Sequence, residues 1–271
     1  MHNIHRYLSN IPGWHSKRKI VVIESDDWGS IRMPSADVYQ TCLKAGYPVD
    51  LNPYERYDSV ASKDDLELLF DLLYSFQDKN NNHPIITANC VVANPDFIKI
   101  KQDDFRKYHY ELITETFKRY PEHSNNFELW NAGKSDNIFY PQFHAREHLN
   151  VSKFMTALQN GNSDVLFGFN NRMPGSIKKG RVRNGNYFVE ATNYNSEKDK
   201  TEKLEIYLEG LDIFKNLFGY KSKSIIPTNY IWNNDYNLDI AKKGVEYIQG
   251  IRKMRIPVPN NKQIYQHRFL G

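Results

Sequence analysis

The feature that most constrains this chain is an alternation along its length. Short β-branched, apolar runs of strand length take turns with stretches whose apolar residues recur every three or four positions. Lys19–Ser25 reads as a buried strand that breaks at Asp26, Asp27, Trp28 and Gly29. Ser35–Leu43 follows as a short helix. Lys63–Phe76 places Leu66, Leu69, Phe70, Leu73 and Phe76 on one helical face, and Pro84–Val92 reads as a second buried strand. Asp103–Tyr120 reads as a polar helix, Ile138–Phe143 as a strand and Asn150–Leu158 as a helix. Val165–Phe169 and Tyr187–Ala191 look like strands joined by a Gly- and Arg-rich loop over 171–186. Ser196–Leu217 is the longest predicted helix, followed by a strand at Ser224–Pro227, a helix at Asp235–Lys243 and a strand at Val245–Ile248. No internal repeat or flexible linker interrupts the pattern, so residues 1–271 are expected to form a single α/β domain around a mainly parallel sheet or barrel. In such folds the active groups gather at the C-terminal ends of the strands.

Composition narrows the function classes. With 40% apolar and 25% charged residues and a mean hydropathy of −0.68, the chain is neither a disordered polyelectrolyte nor a membrane protein. No run approaches the roughly 18 apolar residues of a membrane span, and the first residues lack the apolar stretch of a signal peptide. The expected location is cytoplasmic. Only Cys42 and Cys90 are present, too few for a disulfide framework or a four-thiolate metal site. A net charge of +4 is spread thinly, and the basic stretches Lys178–Arg183 and Arg252–Arg255 are too short for a nucleic-acid face, so no nucleic-acid partner is expected. The outlying figure is 14% aromatic residues, which suits a large core and also a groove that stacks on sugar rings.

Two constellations can carry chemistry. Asp26 and Asp27 stand at a predicted strand end, where one carboxylate can bind a cation while the other takes a proton from water. Two aspartates before a turn also serve as caps. His144 and His148, with three residues between them in the segment after the strand Ile138–Phe143, can grip one metal while leaving coordination positions open. Solvated histidines at a helix start have the same spacing. His2, His5, His15, His83, His109 and His123 lie in polar segments and read as surface residues. There is no nucleophile elbow and no Gly-rich phosphate loop.

In these residues the chain resembles the polysaccharide deacetylases of carbohydrate esterase family 4, the NodB-homology domain. Ile23–Gly29 looks like the family's Thr-Phe-Asp-Asp-Gly motif with Trp28 inserted before the glycine, and His144–His148 matches its His-(Ser/Thr)-x-x-His spacing with Ala145 in place of the hydroxyl. Ile85–Val92 takes the place of the intervening strand, and Ile225–Trp232 echoes a third motif. The resemblance implies a distorted (β/α) barrel of seven or eight strands. It also implies that Asp27, His144 and His148 bind a divalent metal, most often Zn2+ with Co2+, Ni2+ or Mn2+ as alternatives, and that Asp26 is the general base. The expected activity is metal-dependent removal of acetyl groups from N-acetylated sugars or their polymers, a carbohydrate being the partner. Trp28, Tyr230 and Trp232 are expected to contact substrate, and Arg146 to replace the family's base-steadying arginine, which is missing at Ile225 and Ile226. His267 is the one order-compatible general acid. The family's last motif is not found, so a chain truncated at its C-terminus, a non-catalytic glycan-binding relative, and a hydrolase of O-acetyl esters or non-sugar amides stay open.

Overall fold

The computed structural model describes residue 11 and residues 14–174 and 188–267. Among these, nine strands run in chain order: β1 (Ile23–Trp28), β2 (Ile86–Val91), β3 (Ala93–Pro95), β4 (Tyr110–Leu112), β5 (Phe139–Ala145), β6 (Ser224–Ile225), β7 (Tyr247–Ile248), β8 (Lys253–Val258) and β9 (Lys262–His267). Five of them form one parallel sheet in the order β1-β2-β5-β6-β7, while β3 pairs with β4 and β8 with β9 in antiparallel ribbons. The fold is α/β as the alternation predicts. Closure into a barrel of seven or eight strands is not observed: among the described residues no ladder joins β7 to β1. Gln249, the residue after β7, donates from Nε2 to Glu24 Oε1 of β1 at 3.3 Å.

The helices form where local signals agree. Ser62 and Asp65 make a reciprocal capping box at the start of helix Lys63–Tyr74, which buries Leu66, Phe70 and Leu73. Helix Glu197–Phe218 is capped by Ser196 and stopped by Gly219 at φ 81°, a left-handed conformation that glycine adopts without strain. This long helix lies so close to β5 that a Cβ on Gly210 would come within 2.7 Å of the Phe143 ring. Between helices and sheet the core is aromatic: Trp130, Phe139, Phe143, Phe214 and Phe218 are almost fully buried and pack edge-on, tilted or stacked. Each such side chain contributes roughly 1.5–3 kcal/mol of burial. Much of the aromatic excess is therefore structural.

Several elements differ from the sequence expectation. Val165–Phe169 lies in helix Ser163–Asn170, which Asn162 caps by accepting from the Val165 amide. Its apolar run is of strand length, but a capped start and one buried face select a helix. Asp103–Tyr120 is not one helix. It turns at Asp104 and Phe105, both at positive φ, pairs through β4 and becomes helical only at Ile113–Lys118. Tyr187 and most of the loop over 171–186 lie outside the described residues, and Phe188–Ala191 forms no strand. The strand at Lys19–Ser25 begins only at Ile23 and is not buried: β1 is an outer strand, with Val21 86% exposed. Lys253–His267, beyond the last strand read from the sequence, form the β8–β9 hairpin. Among the described residues no helix is long and apolar enough to cross a membrane.

Candidate metal centre

The site forms where two strands break register against the same neighbour. β1 pairs with β2 through Ser25 with Ala88 and then Trp28 with Cys90, so Asp26 and Asp27 carry one residue more than the facing segment. β5 does the same on the other side of β2, pairing Phe143 with Cys90 and then Ala145 with Val91, which makes His144 the extra residue. Such bulges re-aim side chains at the ends of sheets. Asp27 also sits at φ 66°, a left-handed conformation that aspartate tolerates better than most residues. Together these irregularities turn Asp27 and His144 toward each other across the C-terminal end of β2.

His148 completes the group from the segment between β5 and helix Val151–Gln159. One ligand atom each from Asp27, His144 and His148 lie within 4.8 Å of one another. Asp27 Oδ1 is 3.1 Å from His144 Nε2 and 3.3 Å from His148 Nε2. Donors about 2.1 Å from a shared ion stand about 3.0–3.4 Å apart in octahedral or tetrahedral arrangement, so the spacing fits. Hydrogen bonding makes the same point. His144 Nδ1 lies 2.6 Å from the Ile226 carbonyl, which only accepts, so the ring carries its proton there. In the neutral ring, Nε2 then turns a lone pair toward a carboxylate oxygen, a contact that needs a second proton or a metal ion between the two. Tyr207 donates to the His144 carbonyl at 2.6 Å and fixes the backbone.

Electrostatics favour the metal-ready protonation states. Burial drives the His148 imidazole down to about 3, against the opposing pull of Asp27, so the ring is neutral with a lone pair available. Burial alone would raise the Asp27 carboxyl, but the charge of His148 and His144 whenever either ring takes a second proton, the His144 hydrogen bond and the fixed Arg32 charge outweigh it and hold the group well below the usual carboxylate range. His148 Nδ1 is buried without a hydrogen-bond partner. The donor set, two imidazoles and one carboxylate, suits a divalent metal.

Around this corner the remaining candidates divide. Asp26 is exposed, and its Oδ1 accepts from Asn89 Nδ2 at 2.9 Å. Tyr230, at φ 55° in the turn after β6, lies near enough that burial first and then the Asp26 charge push its hydroxyl up. Trp232 is fully buried against Tyr207 and Tyr236 and its Nε1 donates to Asn237 at 2.8 Å, so its ring has no face open to a sugar. Trp28 packs edge-on to Trp130 and Phe139, inside the aromatic core rather than over the site. Arg146, 5% exposed, is forked onto Glu147, paired with Glu209 and stacked on Tyr110, all partners away from the two aspartates. His267 ends the exposed hairpin opposite Lys253, and among the described residues no contact joins it to the metal corner. His123, expected at the surface, is buried with Nδ1 3.0 Å from the Ala61 carbonyl. The arginine that does reach the site is Arg32, whose Nη2 donates to Asp27 Oδ2 at 2.7 Å. Five residues beyond Asp27, it carried no signal except its proximity to the Asp-Asp pair.

No known family's sequence profile matches the chain, and no curated protein does. Among solved structures it is similar to the crystal structure of a polysaccharide deacetylase from Bacillus cereus, at 12% identity and a TM-score of 0.34, over 92% of this chain and 60% of that one. A likeness this loose leaves function to be argued from the geometry of the site.

Proposed function

We propose that the chain is a metal-dependent hydrolase that removes acetyl groups from N-acetylated sugars or their oligomers. The observation that carries this reading is the convergence of Asp27, His144 and His148 beside the exposed carboxylate of Asp26. The resemblance of the two motifs to carbohydrate deacetylases supplies the substrate class. A divalent ion held by the three residues would supply a Lewis acid that polarises a carbonyl and makes water more acidic. The protein's own groups account for the rest. Asn89 engages one oxygen of Asp26 and leaves the other to take the proton of the attacking water. Tyr230 keeps its proton and can donate to substrate or to the oxygen that gains charge. His144 is held at its ring by the Ile226 carbonyl and at its own carbonyl by the Tyr207 hydroxyl, so the imidazole is already oriented for the metal corner.

The test is acetate release from N-acetylglucosamine oligomers by protein loaded with Zn2+ or Co2+. Asp26→Asn is expected to abolish release with metal content near normal, whereas His148→Ala is expected to lose the metal. Loss of metal from Asp26→Asn would exchange the roles of the two aspartates. Release from O-acetylated but not N-acetylated sugars would make the enzyme an esterase, and no metal binding at all would sink the hydrolase reading.

A further inference from the structure

The carboxylate of Asp27 divides its oxygens. Oδ1 faces both imidazoles, while Oδ2 accepts from Arg32 Nη2 at 2.7 Å. Arg32 is itself held on three sides. Its Nε lies 2.9 Å from Asp58 Oδ2, and its guanidinium stands over the Tyr54 ring at 4.7 Å. The backbone amides of Arg32 and Met33 both donate to the Asp58 carbonyl, at 3.3 and 2.9 Å, which ties the two segments together. A planar fork with donors in fixed directions suits this task better than an ammonium, because it reaches two carboxylates at once without swinging.

We propose that Arg32 is a positioning residue that restricts Asp27 to single-oxygen coordination, an inference that rests on reading Asp27, His144 and His148 as a metal site. With Oδ2 taken by Arg32, the protein gives the ion three donor atoms and no fourth. Coordination positions are then left for water and for the carbonyl of a substrate. Without the fork, the carboxylate is free to rotate and offer both oxygens, which raises the protein's share of the coordination shell and closes a position the chemistry needs. Arg32 also places a positive charge near the ion, and on charge alone its removal would tighten binding. Loss of a group that orients a metal ligand typically costs about 10–100-fold in affinity, so weaker binding is the expected net result. Asp58 offsets much of the Arg32 charge and tips the balance the same way.

Co2+ titration of the full chain separates the alternatives, read as affinity and as the visible absorption that reports coordination number. Wild type is expected to bind Co2+ with a spectrum of low coordination number that His148→Ala abolishes. Arg32→Gln and Arg32→Lys are both expected to bind about 10–100-fold more weakly, with weaker absorption as the coordination number rises. Asp58→Asn, which leaves the Asp27 contact and removes only the far anchor, is expected to shift the spectrum in the same direction by less. Far-ultraviolet circular dichroism establishes that each variant is folded, and Asp58→Asn carries the test if the Arg32 variants are not. Arg32 or Asp58 variants with the wild-type affinity and spectrum overturn the positioning role while leaving the metal site intact. A wild-type chain that binds no Co2+ at these residues overturns the metal reading and this inference together.

Discussion

At the scale of single residues, the candidate site is built from side chains whose backbones are irregular. Asp27, Asn229 and Tyr230 lie at positive φ, and His144 is the extra residue of a bulge. Such conformations cost of order 1–3 kcal/mol each and persist only where the surroundings enforce them. Asn89 is one of those enforcers: fully buried, it donates to Asp26 from 63 residues away. Replacing it with Ala removes one charge-assisted hydrogen bond of about 1.5–3 kcal/mol, so acetate release is expected to fall at least tenfold in kcat while metal content stays at the wild-type level. Steady-state kinetics paired with metal analysis checks both halves. Glu55 offers a separate test through pH. Burial raises its carboxyl from 4.5 to about 7, against the Asn52 hydrogen bond and the Arg32 charge. The folded state therefore holds this proton more tightly than the unfolded state, and stability falls as pH rises from about 4.5 to 7. Above that window the full penalty applies, reduced to about 1 kcal/mol by solvent screening. Glu55→Gln is expected to raise Tm by about 2–4 °C at pH 8 and to leave it unchanged at pH 4, measured by thermal unfolding at both. The candidate trio was legible because the Asp-Asp pair and the spacing of the two histidines are local patterns, while the choice of Asp27 over Asp26 came from the family resemblance. Asn89 and Arg32 were not, since what makes them matter is a partner brought close by the fold. Trp232 and Arg146 misled for the same reason: Tyr207, Tyr236 and Glu209, which claim them, were not legible as their partners.

At the scale of elements, the helix Glu197–Phe218 positions β5, and therefore His144 at its end. Gly210 permits the contact, because an added Cβ would meet the Phe143 ring at 2.7 Å and Arg146 Cβ at 2.9 Å. Gly210→Ala poses a competition between two effects. Helix propensity favours alanine by about 1 kcal/mol, and overpacking against a ring fixed among Tyr207 and Phe214 costs about 1–3 kcal/mol. The steric effect wins, and because the helix has to move off β5, the cost extends to the site. A lower Tm together with weaker metal binding is expected, whereas a raised Tm would mean that helix and strand are less tightly coupled than their contact implies. Elements with strong local signals, such as the capped helices and the β-branched β2, were readable from periodicity alone. β6 and β7 were read as strands at Ser224–Pro227 and Val245–Ile248 and keep only two residues each, while their place in the sheet depends on pairing with β5 and with each other, which no local pattern encodes. The helix Ser163–Asn170 was misread because an apolar run of that length fits a buried strand equally well until its Asn162 cap is recognised.

At the scale of the whole molecule, among the described residues β1 and β7 form the two outer strands of the parallel sheet, and the candidate metal corner lies over the ends of β1 and β5. These strands are not neighbours: β2 runs between them, and residues 27, 144 and 148 meet only when the sheet is assembled. A bound ion would thus join segments more than 100 residues apart in the chain, as the 117-residue separation of Asp27 and His144 shows. Because the unfolded chain has no such convergence, binding free energy becomes folding free energy, about 2.7 kcal/mol when the free ion is at a hundred times its dissociation constant. For a domain of this size that is a rise in Tm of about 5–10 °C. The increase is expected for wild type in Zn2+, to reverse on addition of a chelator, and to be absent in His148→Ala. Asp26→Asn is expected to retain it, since Asp26 contributes no donor atom to the cluster. Thermal unfolding of the three proteins with and without Zn2+ measures all of this without a substrate. An equal rise in His148→Ala would place the bound ion elsewhere on the surface and leave Asp27, His144 and His148 as a hydrogen-bonded corner of the sheet.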